Sequence, residues 1–164
     1  MRRDGLNYEL KIWLPGDKMD DNTWQQLISL YLERLLGKYK RIRFGNTFYR
    51  LYKTFLYKHT FHDTVSLRQL GNSFHAVLYN EGKPMAFMAG YVDHKCKRVV
   101  VPRLAIDFEY KFYSPGYVLI DQTMRHVAKE TTIREIDLSR GTERYKTDMG
   151  GVVYHTLSFV FKNR

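Results

Sequence analysis

At 164 residues, with 44% hydrophobic and 15% aromatic side chains, the chain is long enough for one domain with a real core and too apolar to be disordered. No window approaches the roughly 18 to 20 uninterrupted apolar residues of a membrane span, and no apolar signal core follows Met1-Arg2-Arg3-Asp4-Gly5, so a cytoplasmic protein is expected. The formal net charge of +10 asks for an anionic partner, while the single cysteine, Cys96, excludes an internal disulfide and a cysteine metal cluster.

Tyr8, Leu10 and Ile12 alternate with Glu9, Lys11 and Trp13, which predicts a short strand before the turn Pro15-Gly16-Asp17. A helix follows. Thr23 with Gln26 forms a capping box, Trp24, Leu27, Ile28, Tyr31 and Leu35 make an apolar stripe, and Gly37 is a suitable stop. A second helix is expected over about Thr47 to Leu56, burying Phe48, Leu51, Tyr52, Phe55 and Leu56 and leaving Lys and Arg in solvent. From Arg34 to His62 there is no acidic residue, and basic side chains such as Lys38, Lys40 and Arg41 are interleaved with aromatic ones. Such a surface can also neutralise phosphates and stack on bases, which keeps RNA open as a partner.

Strand signals then dominate: Phe74 to Tyr79, the turn Asn80-Glu81-Gly82-Lys83, Pro84 to Val92, and a long strand from Arg98 to Tyr110, in which Pro102 needs an edge or a bulge. Ser114-Pro115-Gly116 opens another helix, with Ser114 as N-cap, Pro115 as first helical residue and Gly116 leaving room for a close backbone approach. Tyr117, Ile120, Met124, Val127 and Ala128 form its buried side; Ile133 to Leu138 and Val152 to Phe161 complete the strands. No linker or repeat divides the chain, so residues 1–164 are expected to form a single α/β (α+β) domain, a mixed sheet with helices on both faces.

Two places carry chemistry. If the strand is regular to Tyr110, Asp107 and Glu109 face one side just before the helix start, a pair able to hold one raised pKa and deprotonate an ammonium. Glu109 is the nearer to the helix; exposure of both, or pairing with Arg103 or Lys111, is the structural alternative. The run Asp137-Leu138-Ser139-Arg140-Gly141-Thr142-Glu143-Arg144-Tyr145-Lys146 follows an apolar strand, and its polar groups must pair with each other or with a ligand. A network of Asp137, Arg140 and Lys146 that only locks neighbouring strands is the competing view. His59 and His62 lack a third ligand, so no metal is expected, and no Walker A loop or nucleophile elbow is present.

Asp107 to Gly116, ending Tyr-Ser-Pro-Gly, and Asp137 to Lys146 together resemble the C-terminal signature of the GNAT superfamily of acyl-CoA-dependent N-acyltransferases. Within it they are similar to the cellulose-biosynthesis acetyltransferase-like branch and, more distantly, to the Fem-type aminoacyltransferases. The likeness extends back to about Phe44 through Gly82-Lys83-Pro84-Met85-Ala86. The resemblance implies a mixed, mostly antiparallel central sheet in which two strands splay apart, with the pantetheine arm of acetyl-CoA, or of another acyl-CoA, between them. It implies that Lys111, Phe112, Tyr113, Ser114, Pro115 and Gly116, with Tyr117 beside them, cradle the cofactor's phosphates. Ser114 stands where the family has its middle glycine, and Pro115 removes one backbone donor.

By the same resemblance, Glu109, with Asp107 second, is the base, Tyr145 is the acid that protonates the leaving thiolate, and Asp137, Arg140, Glu143 and Lys146 grip acceptor or cofactor. The implied reaction is direct attack of an amine on the thioester. The acceptor is an amino sugar or other cell-envelope precursor, and the basic face from Arg34 to Lys58 suits an anionic or nucleotide-linked one. Two alternatives stay open: a Fem-like transferase using aminoacyl-tRNA, and a non-catalytic half of a tandem assembly, incomplete without a second subunit, of which a homodimer is one form.

Overall fold

The computed structural model describes residues 6–39, 55, 70–141 and 143–155. The expected helix from Thr47 to Leu56, most of the basic aromatic stretch, His59 and His62, Thr142 and the end of the last expected strand lie outside the described residues; Phe55, expected in a buried stripe, is helical and 63% exposed.

Five strands form one sheet in the order β1 (Glu9–Trp13), β2 (Ser73–Asn80), β3 (Lys83–Asp93), β4 (Arg98–Ile106), β5 (Glu135–Asp137). The first four are antiparallel neighbours and β5 runs parallel to β4. Helix α1 (Asp21–Tyr39) covers one face over β3 and β4, and α2 (Pro115–Glu130) covers the other; α3 (Arg144–Asp148) follows β5.

Two helical layers explain why β2 and β3 are apolar without alternation. On β2, Val77 and Tyr79 join Trp24, Leu27 and Ile28 of α1, while Phe74, Ala76 and Leu78 join Leu119, Ile120 and Val127 of α2. A strand buried on both faces needs apolar residues at every position. Each fully buried Leu or Phe contributes about 1.5–3 kcal/mol over its exposed state.

Local chemistry sets the boundaries. Helix α1 is capped by Asp20 rather than Thr23: the Thr23 backbone N–H donates to Asp20 Oδ1 at 2.8 Å, and these bonds hold the Asp20 carboxyl below its usual range. The helix then runs past Gly37 to Tyr39. The β2–β3 connection is a two-residue turn in which Glu81 and Gly82 have φ of 49° and 77°, the left-handed pair that matches hairpin twist. The β3–β4 register shifts between Ala89 and Tyr91, and a Cβ on Gly90 would stand 1.9 Å from the Val100 carbonyl oxygen, so this irregularity accepts glycine alone.

The longest departure from expectation is at the end of β4. The strand stops at Ile106 because Asp107 caps a 3-10 helix, Phe108–Tyr113, its Oδ1 accepting the Glu109 backbone N–H at 2.9 Å. Pro102 is exposed and lies beyond the three-residue pairing with β5, the edge position it requires. No described helix is long and apolar enough to cross a membrane.

Candidate active site

Strand β5 pairs with β4 only from Arg98 to Val100, opposite Glu135 to Asp137. The Asp107 N–H donates to the Met85 carbonyl at 2.8 Å, so in this antiparallel ladder Asp107, Ala105 and Arg103 turn their backbone groups toward β3. Leu104 and Ile106 therefore turn N–H and C=O to the opposite edge. Beyond Val100 that edge faces no strand among the described residues. The Leu104 carbonyl there accepts a hydrogen bond from the Arg34 guanidinium of α1.

Helix α2 starts beside this open edge. Ser114 adopts φ 49°, ψ 50°, and its side chain makes no capping bond. The expected side-chain cap is thus corrected: capping through the hydroxyl needs an extended residue, whereas Ser114 also closes the 3-10 helix and takes the left-handed corner between the two. Its carbonyl accepts from Tyr117 N–H at 3.0 Å instead. Pro115 has no N–H, which makes Gly116 the first donor of the helix. A Cβ on Gly116 would lie 3.3 Å from Ile106 Cγ2 and 3.7 Å from Leu104 Cδ2, so the glycine lets α2 lie close on β4. Upstream, Lys111 places its ammonium 4.9 Å from the ring centre of Phe112, which is 85% exposed, and Tyr113 is half-buried.

Tyr145, in the first turn of α3, packs its ring against Tyr117. Burial, then the Glu143 charge, pushes its phenol up, opposed by the charge of Arg34. A phenol so placed holds its proton at neutral pH. Lys146 is engaged elsewhere: its ammonium lies 2.9 Å from Glu143 Oε2 and donates to the carbonyls of Ser139, Arg140 and Gly141 at 3.3, 2.9 and 3.2 Å. Three N–H donors are thereby shared among four acceptors, with the side chain only 13% exposed. The Lys146 bond in turn holds the Glu143 carboxyl below the usual carboxylate range. Asp137 accepts from the Ser139 N–H at 2.7 Å and from the Tyr154 hydroxyl. Asp137, Glu143 and Lys146 thus hold the loop that delivers Tyr145, and Arg140 is exposed.

Asp107 and Glu109 are brought together by a route that strand alternation did not foresee. With Glu109 in the 3-10 helix, both carboxylates converge on Lys83 of the hairpin, whose Nζ lies 3.1 Å from Asp107 Oδ2 and 2.7 Å from Glu109 Oε2. Glu109 first and Asp107 second hold the lysine well above its usual range. The Asp107 side chain is 12% exposed and that of Glu109 74%. Beside them is a pocket of about 420 Å³ between α1 and the hairpin, lined by Gln26, Ser29, Glu33, Glu81, Lys83 and Asp107 among others. Arg103 is set 5.5 Å over the ring of Tyr31. Sequence reasoning had not placed Lys83, Glu33 or Glu81 in the site, and had Arg34 only as the start of a basic face; Lys83 carried a signal as part of Gly82-Lys83-Pro84.

A parallel strand pair three residues long, with an unpaired β4 edge beyond it and a helix start nearby, accords with the fold that the sequence resemblance implies. Residues 20–147 match the family model described as the Acetyltransferase (GNAT) domain. The chain belongs to the GNAT acetyltransferase family. Enzymes of this family take acetyl from acetyl-CoA, and the chain is accordingly an acetyltransferase. A search of curated proteins finds no match. Several solved structures share the GNAT fold at low identity. An aminoglycoside acetyltransferase from an uncultured soil metagenomic sample, in complex with sisomicin, is 16% identical over 98% of this chain and 99% of that one, with a TM-score of 0.57. An integron cassette protein from the mobile metagenome of V. cholerae is 12% identical over 95% and 93%, with a TM-score of 0.61. Glucosamine-6-phosphate N-acetyltransferase from Arabidopsis thaliana is 13% identical over 94% and 99%, with a TM-score of 0.51.

Proposed function

We propose that this GNAT acetyltransferase moves an acetyl group from acetyl-CoA to the neutral form of an amine on a positively charged acceptor by direct attack, with both substrates bound at once. The observation that carries the reading is the open edge of β4 beside the start of α2. A pantetheine arm has two amides, and the Leu104 N–H with the N–H and C=O of Ile106 offer the backbone groups such amides pair with along a strand edge, the Leu104 C=O being held by Arg34. The diphosphate then falls toward Gly116 and Lys111, where the positive end of α2 favours an anion. In this reading Phe112, Tyr113, Ser114, Pro115 and Tyr117 shape the same corner.

The amine nitrogen bonds to the thioester carbon, the C–S bond breaks, and Tyr145 gives its proton to the sulfur. The proton lost by the amine goes to Asp107 in preference to Glu109, because Asp107 lines the pocket and is the more buried carboxylate. Glu33, Glu81 and Asp107 outnumber Lys83 on that wall, which favours an acceptor of positive charge over the anionic or nucleotide-linked one suggested by overall composition. Amino sugars remain within this class, and the structural likeness to an aminoglycoside acetyltransferase makes aminoglycosides a sensible first panel. Asp137, Glu143 and Lys146 act by holding the loop, and Arg140 by its exposed charge. The cellulose-biosynthesis-like or Fem-like affiliation and an aminoacyl-tRNA donor belong to the outcomes of the test.

Thiol release from acetyl-CoA, followed over a panel of aminoglycosides, amino sugars and nucleotide-linked amines, tests the reading. Cationic amines should stimulate release, and Asp107→Asn should lower kcat about tenfold or more while Glu109→Gln has the smaller effect. Stimulation by the anionic amines alone, or aminoacyl transfer from an added aminoacyl-tRNA with no thiol release from acetyl-CoA, would contradict it.

A further inference from the structure

Arg34 reaches from α1 to a carbonyl 70 residues away in sequence. The Leu104 C=O that accepts from Arg34 Nη1 points out of the open edge of β4, so the guanidinium stands at that edge. The Leu104 side chain meets the space that Gly116 leaves bare, Gly116 precedes Tyr117, and Tyr117 packs on Tyr145. A continuous set of contacts therefore runs from α1 through β4 and the first turn of α2 to the phenol. The sequence offered Arg34 only as the first member of a basic run.

We propose that Arg34 is a positioning residue of acetyl transfer: clamped on the Leu104 carbonyl, it fixes a positive charge at the end of the cleft where sulfur leaves and assists Tyr145 in delivering its proton. This rests on the reading of the cleft as the acetyl-CoA site. As the amine nitrogen bonds to the carbonyl carbon, the C–S electron pair moves onto sulfur, which takes the Tyr145 proton. The tyrosinate then regains a proton from water, and the amine's own proton leaves through Asp107. Negative charge thus appears first on sulfur and then on the phenol oxygen, and a guanidinium fixed nearby stabilises both. Because Arg stays charged at any working pH, the assistance itself does not titrate. The favourable effect of Arg34 on phenol ionisation agrees with this placement.

The test compares wild type with Arg34→Gln, Arg34→Lys and Arg34→Met in two measurements: kcat and KM for acetyl-CoA against pH, and the titration of the Tyr145 ring followed by carbon NMR. Loss of the charge should lower kcat by about tenfold to a hundredfold while KM for acetyl-CoA moves far less. Removing a cation that favours the ionised phenol should move the Tyr145 titration, and with it the alkaline limb of kcat, to higher pH. Arg34→Lys should recover most of kcat and keep the limb near its wild-type position. A merely structural arginine would cost stability and lower activity without moving the titration, and Arg34→Met, which keeps the aliphatic stem, reports the titration if Arg34→Gln does not fold. An unmoved limb, or a Lys variant as slow as Gln, would overturn the role of Arg34. A wild-type protein that neither binds acetyl-CoA nor releases thiol would overturn the cleft reading and Arg34's role together.

Discussion

Tyr117 and Tyr145 meet edge to face, their ring centres 6.0 Å apart and their planes inclined at 68°. The contact ties the first turn of α2, where an anion is favoured, to the first turn of α3, where a phenol retains its proton. The proposed anion cradle and the proposed proton donor are thereby one packed unit, although 28 positions of chain separate the two tyrosines.

Tyr145→Phe keeps that ring contact and removes only the proton. Acetyl transfer should fall by about a hundredfold, with the denaturant midpoint unchanged. Tyr145→Ala, which also removes the ring, should in addition lower stability by about 1–2 kcal/mol. Parallel kinetics and chemical denaturation separate the two effects; equal activity for wild type and the Phe variant would remove the phenol from the mechanism.

Lys146→Met should free the loop from Ser139 to Glu143, because it deletes the donors to three carbonyls and the partner of Glu143. Backbone amide exchange in that loop should quicken while the sheet stays protected. The lock also has a pH dependence of fixed sign. Glu143 has a lowered carboxyl pKa, so its contribution is present above the unfolded value of about 4.3 and is lost as pH falls through the lower folded value. Protection in the loop, taken relative to the intrinsic exchange rate, should therefore fall as pH drops through the lowered Glu143 value in wild type and be insensitive to that step in Lys146→Met.

Gly90→Ala tests the irregularity at the centre of the sheet. The added methyl would stand 1.9 Å from the Val100 carbonyl oxygen, a backbone atom that cannot swing aside. A loss of about 2–4 kcal/mol is expected, read from urea unfolding; a neutral substitution would show that the β3–β4 register does not depend on glycine.

The sequence made the sheet and its punctuation legible where the signals are local. Strand alternation at Tyr8 to Trp13, Gly82 in the hairpin turn and Pro115 at the start of α2 all have the geometry that their residue types favour. Resemblance supplied the short parallel pairing of β5 with β4. Legibility failed where a single side chain chose between two local structures. Asp107 reads equally as a strand residue or as a cap, and its bond to Glu109 N–H ended the strand four residues early. Asp20 and Thr23 both cap helices well, and only the folded chain shows that Asp20 does so. Contacts across long sequence separations had no local signal at all: nothing near Lys83 announces Asp107 and Glu109, and nothing near Arg34 announces Leu104. The polar run from Asp137 to Lys146 was visible as a cluster, but whether its charges turn inward or toward a ligand depends on the loop's path. Three backbone carbonyls turn inward onto Lys146.

The most direct test of the account is calorimetric titration of the purified protein with acetyl-CoA, beside Ser114→Asp. Ser114 is exposed and left-handed, a conformation Asp tolerates, so the substitution adds a negative charge at the start of α2 without disturbing packing. Saturable binding by wild type, weakened about tenfold or more in Ser114→Asp, is the predicted result. No binding by wild type, or equal binding by both proteins, would contradict the placement of acetyl-CoA between β4 and α2.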